Sequence, residues 1–234
     1  MNAERRLSGL KEYLRANKHL IGKIVDFNPE KDKFLAFDFT SNNKTLTADT
    51  IADTGTFSKW IEDKLRQQNA KFGLGGYNEL RTLYNQRALF NEGEEPRQLH
   101  LGVDIWAPAH TCIYSPLEGK VHSFKNNEGT GNYGATIILE HNLKDITLFS
   151  LFGHLSLKSL AGLIKGKIIS TGTAFAELGN ANENGNWPPH LHYQLIFDLN
   201  DTEGDYPGVC RLSEKNKYLQ NCPDPNLILQ HTFG

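Results

Sequence analysis

The sequence predicts an α+β protein, in which a mainly antiparallel β-domain follows an N-terminal segment of mixed helix and strand. Three observations lead to this prediction. Residues 3–16 and 56–70 carry apolar side chains at helical spacing. From residue 97 onward, short apolar runs alternate with turns, which is typical of antiparallel strands. The chain has 234 residues, enough for one large domain or for one domain with an accessory segment.

The N-terminal segment, residues 1–90, is predicted to be an α/β accessory unit that packs beside the β-domain. Residues 33–39 form an apolar run that predicts a strand, and the turn-rich Ser41-Asn42-Asn43 ends it. Residues 72–77 are rich in glycine. They lack the Gly-x-Gly-x-x-Gly spacing and a preceding strand, so phosphate binding is not predicted there.

The β-domain is assigned to residues 91–200 and a C-terminal extension to residues 201–234. The extension contains Pro207, Pro223 and Pro225, and it is predicted to be an irregular tail that wraps around the domain. Strands of the β-domain are predicted at residues 113–114, 119–124, 135–140, 147–152, 167–169 and 191–197.

Composition limits the classes of partner and the compartment. A formal net charge of −2 gives no electrostatic reason to expect nucleic acid or an anionic membrane as a partner. No run of about eighteen apolar residues predicts a membrane span. The first residues contain no apolar stretch of the secretory type, so a cytoplasmic location is expected if Met1 is the native start.

A possible metal site begins at His100 and Asp104. Apolar residues alternate with His100, Gly102 and Asp104, and this strand periodicity places the two polar side chains on one face. Positions four apart in a regular strand are separated by about 13 Å, which is too far for two ligands of one ion. A bend or bulge at Gly102 would bring them together. The alternative is a surface aspartate and a hydrogen-bonded histidine.

The tripeptide His190-Leu191-His192 supplies two more imidazoles. On a strand, the two histidines share a face about 6.6 Å apart while Leu191 points into the core. One imidazole can then bind a metal while the other stands beside a reacting water; the alternative is a pair of exposed strand histidines. His154 follows another apolar run, where a lone histidine is more often structural.

Five motifs in one order resemble the lysostaphin-like (LytM-type) zinc endopeptidases, a family that cuts peptide cross-links in bacterial cell walls. They are His100-Leu-Gly-Val-Asp104, Ser115-Pro-Leu-Glu-Gly119, Gly134 to His141, Leu151-Phe-Gly-His154-Leu and Pro189-His190-Leu-His192, and the resemblance covers about residues 97–199. It implies a β-sheet groove and one Zn²⁺. His100, Asp104 and His192 would be the zinc ligands, His154 and His190 the catalytic histidines, and Tyr133 an aid to the oxyanion, or else a packed loop aromatic.

The leading hypothesis is therefore a zinc-dependent metallopeptidase in which a metal-activated water attacks a peptide bond, the substrate being a peptide or a peptidoglycan fragment. The alternatives are a zinc hydrolase of a non-peptide metabolite and a non-catalytic binding or regulatory module of the same fold. One departure from the usual pattern concerns the groove wall, because residues 184–189 replace the usual small-residue run. Residues 75–81 and 221–225 are similar to a less studied branch of the family with its own N-terminal region, which weakens the cell-wall assignment and leaves the metal chemistry intact. Arg81 and Trp187 are candidates to touch substrate, although core or surface packing is favoured for both.

Overall fold

The computed structural model describes residues 3–81, 84, 88–91 and 93–233. The five helices in this part of the chain are α1 (Ala3–Ala16), α2 (Ala48–Ala52), α3 (Thr54–Gln67), α4 (Lys215–Asn221) and α5 (Asn226–Phe233). The strands are β1 (Phe34–Phe37), β2 (Phe72–Gly75), β3 (Leu99–His100), β4 (Val103–Trp106), β5 (Cys112–Tyr114), β6 (Gly119–Asn127), β7 (Gly134–Leu143), β8 (Ile146–Leu155), β9 (Ile168–Ile169), β10 (Ala174–Glu177), β11 (His190–Ile196) and β12 (Val209–Cys210). No helix of the described residues is both long enough and apolar enough to cross a membrane.

One eight-stranded sheet, in the order β1-β2-β4-β11-β8-β7-β6-β9, forms the centre of the molecule. Only β1 and β2 pair in parallel; every other neighbouring pair in this sheet is antiparallel. Two short sheets, β10-β5 and β12-β3, lie beside it. The predicted α+β class with a mainly antiparallel sheet is confirmed.

The N-terminal segment extends this sheet. β2 pairs with β4, and β1 pairs with β2, so residues 34–37 and 72–75 continue the sheet of the predicted β-domain. Both predicted helices are present. The apolar side of α3 packs in a second core around Trp106, and α1 packs in the main core. The division of the chain into an accessory segment, a metallopeptidase-like domain and a C-terminal extension, with boundaries at residues 90 and 200, stays a prediction.

The expectation of an irregular C-terminal tail is wrong. Residues 209–210 form β12, and two helices follow. The prolines stand where they disturb no ladder or helix: Pro207 precedes β12, and Pro225 directly precedes α5, a position that proline tolerates because its missing N–H has no helical partner there. Ile228 and Leu229 are buried in the main core, and this burial holds α5 against the sheet.

The sheet order sets the candidate site residues side by side. β4, β11 and β8 are adjacent, and His192 lies in register with Asp104 on one side and with Gly153 on the other. The chain bends at Gly102, between β3 and β4, as the sequence predicts. A Cβ atom at Gly102 would lie 2.7 Å from His192 Cε1, so only glycine allows this close approach of the two chain segments.

Candidate metal centre and catalytic histidines

Three buried side chains converge on one point between β3, β4 and β11. His100 Nε2 lies 3.0 Å from His192 Nδ1 and 3.2 Å from Asp104 Oδ1, and His192 Nδ1 lies 3.1 Å from the same oxygen. All three residues are at most 3% exposed. The structure thus brings together the three residues that the sequence predicts as ligands.

The neighbours of each imidazole decide which ring nitrogen carries the proton. His100 Nδ1 is 2.8 Å from the carbonyl oxygen of Gly76, so it donates there and leaves Nε2 with a lone pair. His192 Nε2 is 2.9 Å from Gln194 Oε1 and donates to it, because the amide nitrogen of Gln194 is turned to the carbonyl oxygen of Pro207. His192 Nδ1 therefore also presents a lone pair.

Three acceptor atoms about 3 Å apart would repel one another unless a cation lies between them. Zinc bonds to imidazole nitrogen and carboxylate oxygen are about 2.0–2.2 Å long, which places neighbouring ligand atoms of a tetrahedral site roughly 3.3 Å apart. The observed distances of 3.0–3.2 Å agree with this geometry, and the two-nitrogen, one-oxygen donor set suits zinc. The residues present fit a zinc ion.

Charge around the carboxylate keeps it ionised. Burial alone would raise the pKa of Asp104, but the neighbouring His100 and the Arg81 guanidinium hold that pKa well below its usual range. Burial, followed by the charge of Arg81, lowers the pKa of His100 to about 4. Near neutral pH the site therefore offers an anionic oxygen and a neutral imidazole, the forms in which these groups bind metals.

His154 and His190 stand together beside this triangle, with ring centroids 4.2 Å apart. His154 Nδ1 donates to the carbonyl oxygen of Asn184 and His190 Nδ1 to that of Pro188, each at 2.8 Å. Both Nε2 atoms thus keep a lone pair, and neither has a hydrogen-bond partner among the described residues. Burial lowers the pKa of His154 well below its usual range and the pKa of His190 to about 4, so both imidazoles are neutral bases near pH 7.

The backbone of His154 is held in an unusual conformation. Its φ is 62°, in the left-handed region that a non-glycine residue rarely adopts. The amide of His154 donates to the carbonyl oxygen of Tyr133 at 2.9 Å, which holds this conformation at the end of β8. Backbone strain of this kind is concentrated at functional sites, and no local sequence pattern indicates it here.

The Tyr133 ring lies beside both His192 and His154, with ring centroids 5.2 and 5.5 Å away. Its hydroxyl donates to the carbonyl oxygen of Tyr206 at 3.1 Å and is 3.5 Å from His192 Nε2. Burial raises the pKa of the phenol well above its usual value, so Tyr133 stays protonated and can donate one hydrogen bond. Its part in chemistry stays a prediction.

The site opens into a cavity of about 300 Å³, whose walls combine aromatic rings such as Trp106 and Trp187 with polar and charged side chains. Trp187 and Arg81 both line this cavity, as their candidacy to touch substrate requires. Arg81 is only 1% exposed, and one of its nitrogens donates to Asp104 Oδ2 at 2.5 Å. Sequence reasoning missed this contact with a ligand, since nothing in the local pattern around Arg81 indicates it.

Comparison with known families fits this geometry. Residues 98–203 match the model of peptidase family M23. This segment belongs to peptidase family M23. It contains every predicted zinc ligand and catalytic residue, and the predicted family is confirmed; residues 76–81, which contact two of the candidate ligands, lie outside it.

Individual relatives are distant. The chain is 26% identical over 151 residues to the L-Ala–D-Glu endopeptidase of Bacillus subtilis (strain 168); this match covers 59% of the chain and 43% of that protein. A zinc-containing peptidase from Vibrio cholerae is 26% identical, with a TM-score of 0.34 and coverage of 42% of this chain and 27% of that one. The catalytic domain of lysostaphin from Staphylococcus simulans is 19% identical, with a TM-score of 0.39 and coverage of 68% and 97%. The chain thus spans less than half the length of the curated relative.

Proposed function

We propose that this protein is a zinc-dependent metallopeptidase that hydrolyses a peptide bond in a peptidoglycan-derived peptide. Membership of the M23 segment in a peptidase family supports peptide hydrolysis. The observation that carries the proposal is the triangle of His100, Asp104 and His192 beside two neutral histidines with free Nε2 atoms. These residues combine a fitting zinc site with neighbouring proton acceptors.

The chemistry follows from the positions of these groups. When bound, zinc supplies a Lewis acid that lowers the pKa of water to about 7 and polarises a carbonyl group. Nε2 of His154 or His190 can accept the proton of the attacking water, because its Nδ1–H is already engaged with a backbone carbonyl. The proton held at that Nε2 is then available to the leaving amine.

The walls orient both the bases and the substrate. Trp106 stacks on His190 with ring centroids 4.0 Å apart and 17° between the planes, which fixes the direction of its Nε2. Trp187 stands edge-on to His190 at 6.4 Å and closes the cavity on that side. Exclusion of water by these rings strengthens the electrostatic interactions of the site.

The proposed substrate class follows from the family and the relative. An L-Ala–D-Glu bond, as in the name of the Bacillus subtilis relative, is the first candidate bond. Full-length chain loaded with zinc would be incubated with synthetic peptides that contain this bond and with soluble wall fragments, and the products identified by mass spectrometry.

Cleavage at one peptide bond is expected, and its rate should fall by roughly 10²- to 10⁴-fold in His154→Gln at unchanged zinc content. Stoichiometric zinc without cleavage of any peptide would contradict the proposal. That result would favour the hydrolase of a non-peptide metabolite or the binding module.

A further inference from the structure

The segment Gly76–Arg81, outside the M23 segment, touches two of the three candidate ligands. The carbonyl oxygen of Gly76 accepts from His100 Nδ1 at 2.8 Å, and Arg81 Nη1 donates to Asp104 Oδ2 at 2.5 Å. Nη2 of the same guanidinium lies 3.3 Å from that carbonyl oxygen. One short stretch of chain, residues 76–81, therefore contacts both His100 and Asp104, the two candidate ligands on either side of the bend at Gly102.

We propose that Arg81 is a positioning residue of the metal centre. Arg81 binds Oδ2, the outer oxygen of Asp104, so that Oδ1, the inner oxygen, completes the triangle with His100 and His192. The inference rests on the proposed function, since it concerns the same zinc site. Asp104 Oδ2 is engaged with Arg81, while Oδ1 lies 3.1 and 3.2 Å from the two imidazole nitrogens. With its outer oxygen occupied, Asp104 offers a metal one oxygen in one fixed direction.

Arg81 can do this because it is itself held from several sides. Its Nε donates to Glu79 Oε2 at 2.7 Å, and its Nη1 also donates to the hydroxyl of Tyr84 at 3.1 Å. The other carboxylate oxygen of Glu79 accepts from the backbone amide of Phe39, two residues beyond the end of β1. The guanidinium carbon lies 5.0 Å from the centre of the Phe39 ring. These contacts fix a planar group that presents parallel donors to different acceptors, which a lysine ammonium does not reproduce.

Burial makes the arrangement specific. The side chains of Arg81 and Asp104 are 1% and 3% exposed, and that of Glu79 is 12% exposed. A buried carboxylate needs its hydrogen bonds, because water is absent to replace them. Outer groups of this kind orient ligands in metal sites and affect metal affinity. Through Arg81 the N-terminal segment thereby contributes to the metal centre.

The test is the substitution Arg81→Lys in the full chain, which keeps the positive charge and removes the planar fork. Zinc affinity, measured by competition with a chelating dye, is expected to fall about 10- to 100-fold. With cobalt(II) in place of zinc, the visible absorption spectrum should change, because Asp104 no longer presents a single oxygen. Arg66→Lys is the matched control, since Arg66 pairs with Asp63 on the surface of α3 with a side chain 77% exposed; it should leave both readouts unchanged.

Gly75→Ala tests the same idea without altering Arg81. A Cβ atom at this position would lie 2.7 Å from Arg81 Nη2 and would displace the guanidinium. Zinc affinity is expected to fall again, and this variant decides the matter if Arg81→Lys does not fold.

The outcomes separate the two proposals. If a folded Arg81→Lys variant has the zinc affinity and cobalt spectrum of the wild type, the role of Arg81 is overturned and the proposal of a zinc site is not affected. If Arg81→Lys does not fold, the same result in a folded Gly75→Ala variant has the same meaning. A wild-type chain that binds no zinc would overturn the proposed function together with this inference.

Discussion

Two regions of the molecule bury histidine side chains, and the hydrogen bonding of the ring nitrogens differs between them. In the centre of the sheet, His141 is fully buried and both of its nitrogens are engaged, Nδ1 with the carbonyl oxygen of Glu118 at 2.8 Å and Nε2 with Ser150 Oγ at 2.6 Å. Beside the cavity, His154 and His190 each have Nδ1 engaged and Nε2 without a partner among the described residues.

Burial by itself does not separate the two regions. It lowers the pKa of both His141 and His190 to about 4. The difference lies in Nε2. In His141 this atom completes a hydrogen-bond network within the sheet, whereas His154 and His190 line the cavity and their Nε2 atoms have no partner among the described residues. A buried histidine with a free nitrogen on a cavity can do chemistry, whereas one with two partners stabilises the fold.

The largest expected effect comes from removing a candidate ligand. His192→Ala should abolish stoichiometric zinc and reduce hydrolysis to background, because two ligands hold the ion poorly. Elemental mass spectrometry on protein purified without chelators would measure the metal. His122→Ala, which removes a half-buried histidine bonded to Ser123 away from the site, should retain zinc. Retention of full zinc by His192→Ala would place the metal elsewhere.

A smaller loss, confined to turnover, is expected for a histidine of the cavity. His154→Gln should keep about one zinc per chain and lower kcat by roughly 10²- to 10⁴-fold, the usual contribution of a general base. Metal analysis and steady-state kinetics on the same preparation would check both parts. Full turnover in this variant would show that His154 accepts no proton in the reaction.

The sheet histidine should give the opposite pattern. His141→Gln should leave zinc content and kcat of the folded protein unchanged and lower the free energy of unfolding by about 1–3 kcal/mol, since Glu118 and Ser150 lose a well-placed partner. Denaturant unfolding would measure this loss. A drop in zinc content without a loss of stability would erase the contrast between the two regions.

The last prediction is the pH dependence of the stability that His141 contributes. The pKa of His141 is about 4 in the folded state against about 6.5 in an unfolded chain, so its neutral form is favoured by folding. This stability is complete above about pH 6.5 and decreases as the pH falls toward 4, by at most about 1.4 kcal/mol per pH unit. Unfolding curves between pH 7 and 4.5 should be flatter against pH for His141→Gln than for the wild type. Equal slopes would mean that His141 is not held neutral in the fold.

Local patterns predicted most of the secondary structure. Short apolar runs separated by turns predicted the long strands. The helical stripe of Phe57, Ile61 and Leu65 predicted α3, because periodicity reflects which side of an element is buried. β2 was missed because its four residues include two glycines. α5 was missed because Pro223 and Pro225, which precede it, were taken as marks of an irregular tail, and α4 was missed with it.

The sequence by itself determined the α+β class, the family of residues 98–203 and the identity of the candidate ligands and histidines. The class follows from residue type and spacing, which are local properties, and the family and the candidate site residues follow from the resemblance of five ordered motifs to a known family. Only the tertiary structure decided that backbone carbonyls leave particular nitrogens free and that Arg81 binds a candidate ligand from outside the M23 segment. Each of these depends on hydrogen bonds or close contacts between residues far apart in the chain, and periodicity along the chain carries no record of them.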